Sequence, residues 1–118
     1  DSAINGSEFT MFGDGSQIRD FTYVGDIVKA NIAAATASAA VGGVFNIGGG
    51  SAATMHDVVA AVTQAVGAAP NITFGDKVMG DVFRTGASIK RAEQVLNWTP
   101  SVAMPDGVAR QAQAVMQT

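Results

Sequence analysis

Gly13-Asp14-Gly15-Ser16-Gln17-Ile18-Arg19-Asp20-Phe21-Thr22-Tyr23-Val24-Gly25-Asp26-Ile27 is the stretch on which the fold turns. Apolar runs flank a Gly-Asp-Gly turn, a lone Arg opens the second run, and a helix follows at once. Phe9 to Phe12 reads as a strand ending in the turn. Ile18 to Val24 alternates, with Ile18, Asp20, Thr22 and Val24 on one face and Arg19, Phe21 and Tyr23 on the other. The pair is expected to form a hairpin-like unit. Asp26 then suits the N-cap of a helix from Ile27 to about Ser38, with Ile27, Ala30, Ala34 and Ala37 inward and Val28 and Ile32 beside them.

Downstream, Gly42-Gly43 ends that helix. Val44 to Ile47 is expected as a short buried strand, broken by Gly48-Gly49-Gly50. Thr54 caps the next helix, with Asp57 completing a weak capping box. Val58, Val59, Val62, Ala65 and Val66 form its buried face, and Gly67 closes it. Asn71 to Phe74 reads as a strand and Lys77 to Gly86 as loop. Ile89, Ala92, Val95 and Leu96 mark a third helix. Pro105 starts the last one, with Val108, Ala112, Val115 and Met116 inward. The order β-β-α-β-α-β-α-α predicts an α/β piece (α+β as an isolated lobe), a small mixed sheet with about four helices in one domain over residues 1–118.

Composition narrows the functions. The chain has 118 residues, 47% of them apolar, but much of that share is Ala, which buries little area. Charged residues are 14%, the net charge is −3, and no basic block exists, which argues against a nucleic-acid partner. Ile27 to Val44 carries Lys29, Asn31 and a Gly pair, so no membrane span is expected, and no signal peptide pattern opens the chain. The abrupt start at Asp1 suggests a piece of something longer, although Gly6-Ser7-Glu8-Phe9 is also compatible with a cloning scar. The absence of cysteine fits a cytoplasmic protein.

Few residues carry candidate chemistry. Arg19 is placed either to clamp a phosphate by paired hydrogen bonds or to pair with a nearby carboxylate. Gly48-Gly49-Gly50 lies between strand and helix, but its spacing matches no phosphate loop and it reads as a flexible connection. His56 is the only histidine and reads as a surface or capping residue. Asp14, Asp20 and Asp26 recur at a spacing that fits no metal loop, so no metal site is expected. Tyr23 is not followed four residues later by Lys, since Ile27 stands there, so it lacks the partner of an activated phenol. Trp98 reads as a helix-end anchor.

Four segments together resemble the C-terminal part of the NAD-dependent nucleotide-sugar epimerase/dehydratase family, within the extended short-chain dehydrogenase/reductases. They are Phe12-Gly13-Asp14-Gly15 with Gln17 and Arg19-Asp20-Phe21-Thr22-Tyr23-Val24; Val44-Phe45-Asn46-Ile47-Gly48-Gly49-Gly50; Gly80-Asp81-Val82-Phe83-Arg84-Thr85; and Leu96-Asn97-Trp98-Thr99-Pro100. On this alignment Ala3 to Gly6 is the end of a helix.

The resemblance implies a nucleotide-sugar-binding lobe. The family's Rossmann domain, with its Gly-x-x-Gly-x-x-Gly loop for NAD and its catalytic Tyr-x-x-x-Lys, has no counterpart in these residues. No catalytic or cofactor-binding residue is therefore expected in the chain. Substrate contacts carry over to Thr10, Met11 and Phe12 beside the base, Arg19 on the diphosphate, and Asp20, Phe21, Asp81 and Thr85 around them. The family's Arg-Pro-Gly-Asp reads Val78-Met79-Gly80-Asp81 here, and its Ala-Asp reads Ala87-Ser88. Losing one of two phosphate cations removes on the order of 1.5–3 kcal/mol of charged hydrogen bonding. The expectation is a lobe that binds a UDP-sugar-like ligand weakly and is not an enzyme alone. The alternative is a free-standing oligomeric interaction module derived from it. Partners are then a nucleotide-sugar and either a homodimer mate (or higher assembly) or a separate Rossmann subunit.

Overall fold

The polypeptide splits its strands between two small sheets, and the helices hold them side by side. The computed structural model describes residues 1–117. In chain order the elements are α1 (Ser2–Asn5), β1 (Glu8–Phe12), β2 (Ile18–Phe21), α2 (Val24–Thr36), a 3-10 turn (Ser38–Ala40), β3 (Ser51–Thr54), α3 (Met55–Val66), β4 (Asn71–Gly75), α4 (Lys90–Leu96) and α5 (Met104–Met116). The short α1, closed by Gly6 in the left-handed conformation, agrees with the family-like helix end.

The expected hairpin does not form. β1 pairs in parallel with β4, with Thr10 opposite Thr73, and β2 pairs antiparallel with β3, with Arg19 opposite Ala53. The Gly-Asp-Gly turn, tightened by the Ser16 amide and hydroxyl donating to Asp14 at 2.9 and 2.5 Å, sends the chain from one sheet to the other. Those bonds, the hydroxyl's foremost, hold the Asp14 carboxyl below its usual pKa. Instead of one small mixed sheet there are, among the described residues, two sheets of two strands each.

Three further expectations are corrected. Val44 to Ile47 forms no strand; the strand of that region is Ser51–Thr54, directly after the glycine loop. Gly50 makes its approach tenable, because a Cβ there would sit 2.6 Å from the Phe21 carbonyl oxygen. β2 stops at Phe21, and α2 begins at Val24 with Tyr23 as its N-cap, so Asp26 lies inside the first turn. Val115 and Met116, expected inward, are 43% and 48% exposed at the end of α5.

Other boundaries follow from local chemistry. The Thr54 side chain accepts from the Asp57 amide while the Asp57 carboxylate takes the Thr54 amide, a complete capping box that opens α3. The Thr54 hydroxyl and amide bonds hold the Asp57 carboxyl below its usual pKa. Pro105 occupies the first turn of α5. Asn97, left-handed at φ 50°, ends α4 and turns Trp98 inward.

Two small cores result. One joins Ala30, Ala40, Ala92, Leu96 and Trp98; the other joins Ala53, Ala61 and Met104, with Phe21, Val58 and Val108 against it. The molecule is a slab, 48 × 37 × 17 Å, with a radius of gyration of 16.6 Å. A compact chain of this length has a radius of about 13.5 Å. Among the described residues no helix is long and apolar enough to cross a membrane.

Candidate functional site

Arg19 and Asp81 meet where the two sheets adjoin. β2 presents Arg19, and the loop after β4 returns Asp81 to it. The Arg19 guanidinium forms an ion pair with the Asp81 carboxylate. It also donates to the carbonyls of Ile18, at 2.9 Å, and Phe83, at 3.4 Å. Backbone bonds lock the loop in place: the Ile18 amide donates to Phe83 at 2.8 Å and the Thr85 amide to Ile18 at 3.1 Å. Both side chains are partly open, at 24% and 33% exposure, so the pair faces solvent and stays accessible to a ligand.

A groove of about 680 Å³ runs past this pair, with Thr10, Met11, Phe12 and Gln17 on one side and Val78, Met79, Gly80 and Asp81 on the other. Arg19 lies in its wall, as do Phe9 and Met55. Met11 is buried and forms a firm base, whereas Phe12, at 52% exposure, leaves a ring face free for stacking. Thr10 and Thr73 bring their hydroxyls to 3.5 Å across the parallel pair. Of the eight residues singled out from sequence, Thr10, Met11, Phe12, Arg19 and Asp81 converge on this groove.

Asp20, Phe21 and Thr85 lie elsewhere. The Asp20 carboxylate accepts the Gly49 amide at 2.7 Å, and the Asp20 amide is 3.3 Å from the Thr85 hydroxyl. Asp20 thereby ties the glycine loop to β2. Its Oδ1 is buried and without a partner among the described residues. Phe21 packs on the second core and borders a separate cleft of about 460 Å³ between Tyr23 and α5, where Arg110 lies 5.2 Å from the Tyr23 ring centre. Met55, Gln17, Val78 and Met79 line the groove but were absent from the sequence-derived set. Val78, Met79 and Met55, as lone apolar side chains, carry no motif of their own.

A different group of residues closes the other end of the molecule. Asp26 is fully buried, and its carboxylate accepts from the Ser101 amide (2.8 Å), the Ser101 hydroxyl (2.7 Å), the Val102 amide (2.9 Å) and Lys29 (3.0 Å). Its carbonyl accepts the Trp98 indole N–H at 2.9 Å. Burial pushes the carboxyl pKa up, but the Ser101, Lys29 and Val102 donors outweigh it and hold the group far below the usual range. Trp98 is thus the anchor its position implied. His56 is exposed on α3, and among the described residues no group of three His, Asp or Glu side chains is arranged to hold a metal.

Residues 1–48 match the NAD dependent epimerase/dehydratase family. The chain is 36% identical over 102 residues to the uncharacterized UDP-glucose epimerase YtcB of Bacillus subtilis, covering 86% of this chain and 32% of that protein. It is 34% identical over 110 residues to the UDP-glucose 4-epimerase of Mycolicibacterium smegmatis, covering 93% of this chain and 35% of that one. Among solved structures, MoeE5 in complex with UDP-glucose and NAD superposes with a TM-score of 0.88 at 35% identity, over 98% of this chain and 39% of MoeE5. The chain thus spans about a third of the length of the curated relatives it matches.

Proposed function

The chain is a partial sequence of the NAD dependent epimerase/dehydratase family, matching its C-terminal part, and we propose that it is the nucleotide-sugar-binding lobe of such a protein, not catalytic alone. The observation that carries this reading is the convergence of Thr10, Met11, Phe12, Arg19 and Asp81 on one groove. Arg19 offers charged donors to a diphosphate. Asp81, an acceptor only, suits ligand hydroxyls. Phe12 offers its ring to a base. Asp20, Phe21 and Thr85 support the groove from behind, through the glycine loop and β2. With Val78 where a second cation would stand, binding is weak.

Catalysis and NAD belong, on this reading, to a nucleotide-binding partner portion, and the surface supports such a partner. The chain exposes 7462 Å², against about 6,000 Å² for a compact monomer of this mass. The excess of roughly 1,500 Å² exceeds the ~800 Å² that each partner buries in a standard interface. Val24, Val28 and Ile32, at 67%, 52% and 60% exposure, form a ridge along α2 with nothing upon it. A cysteine-free chain gains nothing from an oxidising compartment, and the cytoplasm is its proposed setting.

The same ridge favours the second reading, an oligomeric interaction module. Turnover and light scattering separate the ideas. The purified chain, given UDP-glucose and NAD, is expected to epimerise nothing; turnover would end the non-catalytic reading. A dimer or larger assembly at micromolar concentration supports the partner-seeking surface, and a strict monomer speaks against it.

A further inference from the structure

The cleft between Tyr23 and α5 shares no residue with the groove, and the nucleotide-sugar reading does not use it. Strand β2 carries Arg19 to the groove and, two residues on, Phe21 to the cleft. The cleft's volume of about 460 Å³ is that of a small-molecule site. Phe21, Val102, Met104 and Val108 give it an apolar floor, with Val102 and Met104 buried.

Tyr23 is built into the wall. A Cβ at Gly25 would stand 2.8 Å from its ring and one at Gly107 3.2 Å, so glycine at both positions lets the ring lie between α2 and α5. Arg110 sets its guanidinium against that ring, 5.2 Å from the centre. The cation–π contact holds a positive charge at the cleft.

That charge is uncommitted. Among the described residues the Arg110 side chain forms no ion pair, and the Thr22 and Tyr23 hydroxyls have no hydrogen-bond partner. Arg110 is the one charged residue on the wall. The bordering helices carry one acid each. Asp26, on α2, is spent on Ser101, Val102 and Lys29, and Asp106, on α5, is exposed and unpaired with Arg110. Asp20, on β2, is turned to the Gly49 amide.

We propose that this cleft is a second ligand site, which takes a small monocarboxylate with an apolar body. The body lies on the Phe21–Met104 floor and the carboxylate meets Arg110, with Thr22 and Gln111 as further donors. Charge complementarity selects this occupant: one free cation stands beside an apolar floor, and no carboxylate lines the wall. The site is independent of the nucleotide-sugar reading.

Tyr23 is the only tyrosine of the chain, so its ring resonances report on the cleft. The test is an NMR titration of those resonances with 3-phenylpropanoate and with its neutral amide, 3-phenylpropanamide. It is run on the chain and on Arg110→Gln and Arg110→Lys, with circular dichroism verifying the fold. The acid is expected to shift the ring saturably and to bind about five-fold more tightly than the amide. Arg110→Gln is expected to abolish that preference, Arg110→Lys to restore part of it, and UDP to leave the acid in place. Equal binding of acid and amide, an Arg110→Gln variant that binds as the parent does, displacement by UDP, or no saturable shift would each overturn the proposal. Ring shifts that follow protein concentration instead of the probe would assign the cleft to a second copy and overturn it as well.

Discussion

Two carboxylate–cation pairs, Asp26 with Lys29 and Asp81 with Arg19, occupy opposite regions of the molecule and serve it differently. Asp26 is fully buried, with three further donors besides Lys29. It clips the segment after Trp98 to α2, and its donors are all used internally. Asp81 is a third exposed and meets one guanidinium, on the wall of an open groove. A satisfied, buried network specifies a fold, whereas a half-solvated pair stays available to a ligand and adds little stability. The difference separates a clip from a site.

The sharpest way to break this comparison is Asp26→Ala. It leaves the Ser101 and Val102 amides and Lys29 without their acceptor, and a loss of about 3–5 kcal/mol is expected in urea denaturation. A loss below about 1 kcal/mol would place Asp26 in the same class as Asp81. Acid titration is the companion measurement. The folded pKa of Asp26 is depressed, so its contribution is present in full above the ordinary carboxylate pKa of 3.8 and is lost as pH falls from there toward the folded value. Asp26→Asn is expected to flatten that acid limb.

Smaller effects test the boundaries of the two regions. Thr54→Ala removes one half of the capping box at the start of α3 and is expected to cost about 1 kcal/mol in the same denaturation experiment. Asp81→Asn is expected to change stability by less than about 1 kcal/mol. Yet it frees Arg19, so inorganic pyrophosphate should bind a few-fold more tightly. A variant that is destabilised and binds no better would show that the Arg19 pair holds the fold together.

Local chemistry was legible in the sequence. Helix α3 was readable from its Thr54–Asp57 box and its Gly67 stop, α5 from Pro105, and Trp98 as an anchor from its place after α4. What failed was non-local. The partner of β1 lies some sixty residues away at Asn71–Gly75, and adjacency in sequence favoured a hairpin instead. β3, Ser51-Ala52-Ala53-Thr54, has too little β-branched character to announce a strand. Val44 to Ile47 has that character but pairs with no strand among the described residues. Asp26 reads as an N-cap until Ser101 and Val102 arrive from seventy-five residues on.

The site shows the same division. The Arg19 segment marked itself by motif. Met55 and Met79 entered only when the fold set the loop after β4 against β1.

Calorimetry with UDP and UDP-glucose tests the central claim most directly. The account predicts weak binding to the chain that Arg19→Ala reduces by tenfold or more, roughly the worth of one charged hydrogen bond. Equal binding by the parent and Arg19→Ala, or none by either alongside a stable oligomer, would contradict it.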